Sequence, residues 1–506
     1  DAATFFQDAN LDMGMSSITL THFLEEMNNT LFSEMKILQN KSQLPTEQLA
    51  KLSGEALTPY LSGHPKILLN KGRIGLSADA LRMYAPEYAP SFQVFWLAIK
   101  KDFLIESSLQ QTECFFSQNV LNQDDLEKIK GLLALQGESL KNYSIIPVHP
   151  WQFDRYIETQ YQKAIAEKKI IPLTSLGDLY TPQISIRTIA NVKNKKSCDL
   201  KLSMTILNTS AYRGISGENI TTGPILSDYI ENLCHSDELL KKLNIKVLKE
   251  LYVASVAHSA FSKIKDAPYR YNELLGCVAR ESAASKIESS ELAIMTGSLF
   301  YVGDDHKCLI GEYISLSKTT AKKWMQAYFK HVVIPLYHLQ LNYGIGIVSH
   351  GQNIVLRLNN YVPNGVFIKD FQGDLRVNKD FIHKLPTALQ TLKALPADYL
   401  IHDLITGHFV TVLRFISPIL EKFELLNEAD FYKILRLEIA DYLQTHHPGL
   451  ELSNPLNLLR PEFEKVILNK VRFNIGYEDS AARPLPLLGK NLRNPISGQQ
   501  KDSYEL

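Results

Sequence analysis

Near position 350 a histidine, an amide and a carboxylate recur at short spacing. His350-Gly-Gln-Asn353 is followed, after a strand-like run, a turn and a second run, by Lys369-Asp370-Phe371-Gln372-Gly373. Two adjoining strands would present all three groups to one site. A carboxylate and an amide oxygen are hard ligands suited to Mg²⁺, which usually sits between one or two protein oxygens and a substrate phosphate. The spacing is reminiscent of the kinase catalytic loop and its Asp-Phe-Gly metal residue. The competing reading is a polar turn between two strands, capped by Asp370.

A cationic cluster lies upstream. Ser185-Ile186-Arg187-Thr188 alternates, so a strand would place Ser185 and Arg187 on one face. In a second alternating run, Lys201 to Asn208, Lys201, Ser203 and Thr205 share a face, and Arg213 follows. If the strands pair, forked guanidinium donors, an ammonium and short hydroxyls converge, as a polyphosphate requires. Lys71 and Arg73 add cations, and Gly72 and Gly75 beside Arg73 let backbone approach a ligand. The alternative is an ordinary sheet with a polar outer face.

The elements that must position these groups follow from patterning. Ser17 to Leu38 has apolar residues at helical spacing (Leu20, Phe23, Leu24, Met27, Leu31, Met35), and Asp124 to Leu135 reads as a further helix. Strand-like runs cover Phe92 to Ile99 and Ile145 to His149, and the charged run Asn191 to Lys196 reads as a solvated hairpin tip. Long apolar stripes predict helices over Leu239 to Ser262, Thr319 to Tyr343 and Tyr399 to Leu426, with the aromatics of Trp324 to Tyr343 in the core.

With 506 residues the chain exceeds one compact core, and two or three domains packed together are expected. Lys plus Arg and Asp plus Glu both number 54, which argues against a broad nucleic-acid or anionic-membrane footprint. Five scattered cysteines suggest neither a zinc site nor a disulfide framework, so reduced thiols and a cytoplasmic location are expected. No stretch reads as a membrane span or signal peptide, and the start at Asp1 without methionine reads as a truncated or processed chain.

Six motifs taken in order resemble the IucA/IucC family of siderophore synthetases, the enzymes that work independently of nonribosomal peptide synthetases. They are Gly63-His64 with Lys71, Arg73 and Gly75; Tyr84-Ala-Pro-Glu87; Pro147-Val-His-Pro-Trp-Gln152; Ser185-Ile-Arg-Thr188; Lys201-Leu-Ser203 with Arg213; and His350-Gly-Gln-Asn353 with Asp370-Phe-Gln-Gly373. A weaker similarity runs through Asn454-Pro-Leu and Lys465 to Arg472.

The resemblance implies an α/β (α+β) hand: a helical thumb over 1–60, nucleotide-binding fingers over 61–235, and a palm over 236–506 that is mainly helical towards the C-terminus. A mixed or antiparallel sheet lies at the centre. It further implies ATP and Mg²⁺, adenylation of a carboxylate of citrate or a citryl derivative, and condensation with an amine, polyamine or hydroxyl. By similarity Ser185, Arg187, Thr188 and Lys201, with Lys71 and Arg73, would bind the nucleotide. Arg213 and His350 would flank the reacting carboxylate and α-phosphoryl group, Asn353 and Asp370 would hold Mg²⁺, and His64 would contact the acid substrate; apart from the resemblance, Arg280, an arginine amid small residues in Val278-Ala-Arg-Glu-Ser282, is a candidate to fork a substrate carboxylate. A homodimer is compatible with the family.

Alternatives stay open at this level. His64 also suits a turn beside Pro65, Arg280 also suits an ion pair, and His149 reads as structural. Relatives often carry an acidic residue where Val348 stands, and a second His-Pro where Ile67-Leu68 stands. A kinase-like phosphotransferase or a silent citrate- or siderophore-binding relative would use the same residues.

Overall fold

The computed structural model describes residues 1–109, 114–209, 211–217, 220–467, 479 and 487–498. A six-stranded antiparallel sheet forms the floor of the site, in the spatial order Ile105–Ser108, Glu250–Ser255, Gly276–Arg280, Asp199–Leu202, Thr188–Asn191, Tyr180–Pro182. A three-stranded antiparallel sheet packs with it, Phe95–Lys100 lying between Tyr143–Val148 and Ile170–Ser175. One hydrophobic core, running from Val94 to Ala279, serves both sheets. Strands Glu250–Ser255 and Gly276–Arg280 are inner strands of the larger sheet, so that sheet draws on residues from both sides of position 235.

The second core gathers residues from Leu49 to Ile496 around a four-stranded sheet: Ile245–Val247, Val362–Ile368, Ile354–Asn359, Glu291–Met295. Helices Ala321–Tyr328 and Ile334–Tyr343 run on through a widened π turn at Phe329–Val333, and Trp324, Tyr328, Phe329 and Tyr337 are buried there. A second widened segment, Ile405–Leu413, leads into helix Arg414–Lys422. The first lies just ahead of Pro335, which lacks the N–H that an α-helical ladder needs and crowds the carbonyl of His331, four residues back.

Three expectations change. Leu239 to Ser262 is not one helix: helix Glu238–Lys242 is followed by strands Ile245–Val247 and Glu250–Ser255. The run Ile245-Lys-Val-Leu-Lys-Glu-Leu-Tyr-Val suits a half-buried strand as well as a helix, and two waiting sheets decide the matter. Along helix Ser17–Lys41, Phe23 and Met27 are buried, whereas Leu31 and Met35 are exposed and Thr30, Ser33 and Ile37 turn inward. Finally, Ala397–Lys422 does reach the length and apolarity of a membrane span, with 61% of its apolar window buried inside the protein.

Candidate active site between the sheet floor and the 350 loop

Cross-strand register assembles the floor. Glu250 faces Arg280, Arg280 faces Asp199, and Lys201, two residues on from Asp199, faces Thr188. Paired residues share a face and side chains alternate, so Glu250, Arg280, Asp199, Lys201 and Thr188 form one charged patch. Arg187 adjoins it: its guanidinium donates to the Gly214 carbonyl, and its own carbonyl accepts from Leu202 N at 2.9 Å.

The opposite wall comes from the antiparallel pair Ile354–Asn359 and Val362–Ile368. Ile354 faces Ile368, so Asn353 and Lys369-Asp370 emerge at the same end of the pair. Asp370 adopts a left-handed conformation (φ 69°) and meets the floor: Lys201 Nζ donates to its Oδ1, and Arg280 Nη1 lies 3.4 Å from the same oxygen. Arg280 Nη2 lies 3.8 Å from Asp199 Oδ2. Burial pushes the Asp370 carboxyl up, but Lys201, Arg280 and Lys369 outweigh it and hold the group far below the usual carboxylate range. At Asp199 burial wins over Arg280 and Lys369, raising the carboxyl to about 6, and burial brings the Lys369 ammonium down to about 8. Burial also raises Glu250, against the pull of Lys201. Opposite charges are therefore packed here with little water to screen them, where each is worth most to a polyanion or a cation that enters.

Asn353 is fully buried, and its Nδ2 donates to Val348 O at 3.0 Å and to Asp374 Oδ2 at 2.9 Å. With the amide nitrogen committed, Oδ1 is the atom left over, and it has no hydrogen-bond partner among the described residues. A buried acceptor of that kind fits a hard cation. Val348 N in turn donates to Asp374 O at 2.8 Å, so Asp374 fixes both ends of the loop. His350 Nδ1 accepts from Gln352 N at 3.2 Å, and its ring centroid lies 6.3 Å from that of His64. Burial lowers the pKa of His350 against the opposing pull of Asp374 and Asp370, while Arg213 lowers it further. His64 falls to about 4, from burial first and then His350. Arg213 anchors one guanidinium nitrogen on Asn208 O at 2.7 Å.

The structure brings some of the residues singled out in the sequence together and leaves others apart. Lys201, Thr188, Arg187 and Arg280 gather on one side; Asn353, Asp370 and His350 on the other; His64 and Arg213 beside His350. Ser185 and Arg187 do not share a strand face, because Ser185 to Thr188 form the turn of the hairpin, closed by Thr188 N donating to Ser185 O at 2.7 Å. Nor does the strand continue from Lys201 to Asn208: it breaks at Ser203, whose hydroxyl donates to Glu273 O at 3.0 Å, and Thr205 is held by Gln152 at 2.9 Å. The Lys71 ammonium is taken up by Glu34 at 2.7 Å and by the Ser62 carbonyl, and the Arg73 guanidinium forks onto Glu87 at 2.6 and 3.1 Å. His149 is structural, as read: it accepts from Trp151 N at 3.2 Å and packs against Tyr84 and Phe92. Of the run Lys465 to Arg472, residues 468–472 lie outside the described residues.

Sequence reasoning missed Asp374, Asp199 and Glu250. Asp374 follows Gly373 directly and belongs to the same run as Asp370, a signal that was available; Asp199 and Glu250 are singled out only by strand register.

Comparison with known proteins places this geometry. The IucA / IucC family model matches residues 55–301, and the model described as ferric iron reductase FhuF-like transporter matches residues 322–481. The chain is 35% identical to aerobactin synthase of Escherichia coli, over 98% of this chain and 86% of the relative. It is 32% identical to a rhizobactin siderophore biosynthesis protein of Rhizobium meliloti, over 99% and 85%. The solved structure of aerobactin synthetase IucC from a hypervirulent pathotype of Klebsiella pneumoniae superposes with a TM-score of 0.86 at 32% identity, over 98% of this chain and 86% of that one.

Proposed function

The chain belongs to the IucA/IucC family and is an ATP-dependent siderophore synthetase, a ligase; from that premise we propose that it activates one carboxylate of citrate or a citryl derivative as the acyl-adenylate and passes the acyl group to an amine or hydroxyl. The observation that carries the reading is the meeting of Lys201 and Arg280 from the sheet floor with Asp370 from the opposite wall.

Attack of a carboxylate on the α-phosphorus brings two anions together, and pyrophosphate must leave with its charge stabilised. Fixed cations are the groups that lower such a barrier. Lys201, Arg187 and Thr188 suit the phosphates, and Ser185 in the hairpin turn offers a further hydroxyl. Arg280 and Arg213 suit the spare carboxylates of a polyacid, which a guanidinium can fork. His350, kept neutral at pH 7 by its burial, is able to take the proton that an ammonium or hydroxyl gives up as it attacks the adenylate. Asn353 Oδ1 and Asp370 fit Mg²⁺, whose charge would offset that of the phosphates when bound. Of the two cations now on Asp370, Lys201 would face the triphosphate and Arg280 the acid substrate.

Kinase-like transfer and a silent binding role are not favoured, because the relatives are synthases and ligases. The relatives' names include citryl and spermidine chemistry, which supports a citrate-type acid and an amine or polyamine here. A reaction that consumes ATP also supports a cytoplasmic site. The test is product analysis with citrate, acetate and a panel of amines and hydroxylamines: citrate-dependent AMP and pyrophosphate support the reading, whereas ADP, or equal activation of acetate, overturns it. Arg213→Ala should raise the citrate requirement more than the ATP requirement.

A further inference from the structure

We infer that His408 is a positioning residue for the reaction: held by Tyr328, it fixes the Ser349 carbonyl and with it the backbone from which His350 projects. The inference rests on the role of His350 given above.

Ser349 is fully buried, and each of its polar groups is engaged. Its N–H donates to Asp403 O at 3.1 Å, its hydroxyl donates to the same carbonyl at 2.7 Å, and its own carbonyl lies 2.9 Å from His408 Nδ1. A carbonyl can only accept, so Nδ1 carries the hydrogen. In a neutral imidazole Nε2 is then an acceptor, and the Tyr328 hydroxyl, 3.0 Å away, donates to it. Burial keeps the ring neutral by lowering its pKa to about 4. The relay therefore runs in one direction, from Tyr328 through His408 to Ser349, with one tautomer specified.

Packing reinforces the clamp. Gly407, in the widened helical segment, lies so close to the loop that a Cβ there would stand 2.8 Å from Ser349 N. On the far side of His350, Gly351 O accepts from Gly297 N at 2.9 Å, and a Cβ on Gly351 would stand 2.7 Å from Gly297 Cα. The residues on both sides of His350 are thus pinned to the palm, while the Nδ1 of His350 accepts from Gln352 N in its own loop. The aim of the imidazole is set by that pinned backbone. A small displacement of a reacting group costs rate far out of proportion to its size. The phosphate-facing cations, carried by the opposite sheet, would not move.

The test compares His408→Leu, which deletes the donor to Ser349, with His408→Asn, whose Nδ2 can take the place of Nδ1. Stability, ATP affinity and citrate-dependent pyrophosphate release are measured for each. His408→Leu should lower kcat by about 30-fold with ATP affinity within about twofold, and His408→Asn should recover most of that loss. Equal rates in the two variants, or a kcat loss matched by an equal loss of ATP affinity, would overturn the inference. Should the leucine variant not fold, Tyr328→Phe must lower kcat without changing ATP affinity, and an unchanged kcat overturns the inference. A wild-type protein that releases no pyrophosphate would sink the proposed activity itself; a normal wild type beside an unaffected His408→Leu sinks only the role of His408.

Discussion

At the scale of single residues, the site is defined by what each polar atom is already bonded to. Lys201 and Arg280 hold Asp370 from one side, so the cations and the carboxylate compensate each other. Lys201→Ala should lower pyrophosphate release by about a hundredfold or more, the usual cost of one preorganised charged donor, with the fold retained by circular dichroism. A near-normal rate would remove Lys201 from the site. Asp374 acts differently, through Asn353: with its carboxylate gone, one of the two acceptors that hold Nδ2, and so turn Oδ1 the other way, is lost. Asp374→Ala should therefore raise the Mg²⁺ concentration for half-maximal activity by about tenfold, in line with other residues that orient metal ligands. Direct Mn²⁺ titration of the ATP complex should show the same shift, and an unchanged titration would place the metal elsewhere.

At the scale of elements, close backbone approaches hold the cations in place. Gly214 accepts from Arg187 through its carbonyl, and a Cβ at Gly214 would stand 2.5 Å from Glu273 O. Gly214→Ala should thus cost about 1–3 kcal/mol of stability through overpacking and weaken ATP binding by shifting the Arg187 anchor. Nucleotide titration beside thermal melting separates the two effects, and tight ATP binding by a destabilised variant would refute the anchor. His149 caps the turn Pro150–Gln152 with a ring whose burial lowers its pKa to about 3. Unfolding raises that pKa towards the ordinary histidine value, so the unfolded chain binds the extra proton between about pH 6.5 and 3 and stability falls as pH drops through that window, by about 1.4 kcal/mol per unit. Asp199 and Asp403, whose carboxyls burial raises to about 6 and about 7, act in the opposite sense, so the total slope is a mixture. The histidine contribution is isolated by comparison with His149→Asn. That variant should be less stable than wild type at pH 7, with the gap narrowing by pH 5; a constant gap in denaturant melts contradicts the assignment.

At the scale of the whole molecule, the N-terminal helices are tied to the rest by buried ion pairs and hydrogen bonds. Arg73 forks onto Glu87, Asn40 Nδ2 donates to Pro59 O and Glu87 O at 2.9 and 2.7 Å, and Thr46 meets Asp305 at 2.7 and 2.8 Å. Removing one member of a buried pair strands the other charge. Arg73→Met should therefore cost about 3–5 kcal/mol, and adding Glu87→Leu should restore much of the loss. Since the Arg73 side chain is spent on Glu87, the folded double variant should bind ATP as wild type does. A large loss of ATP affinity in that variant would return Arg73 to the nucleotide site.

Residue types and their order were enough to single out Lys201, Arg187, Arg280, Asn353, Asp370 and His350 as candidates, because these are side chains of the kind that phosphate and Mg²⁺ call for. Periodicity was enough for helices such as Gln123–Leu135, whose buried face (Asp125, Ile129, Leu133) repeats every turn. It was not enough for residues 245 to 255, where the apolar pattern suited two structures and two sheets selected the strand. Nor could sequence tell a cation facing a ligand from one already paired. Lys201 and Asp370 are 169 positions apart, and Lys71 and Glu34 are 37 apart, yet of the two it is the first pair that joins the site floor to the opposite wall. Pairing, burial and the direction of the Asn353 amide depend on which distant segments pack together, and that is settled by the tertiary fold.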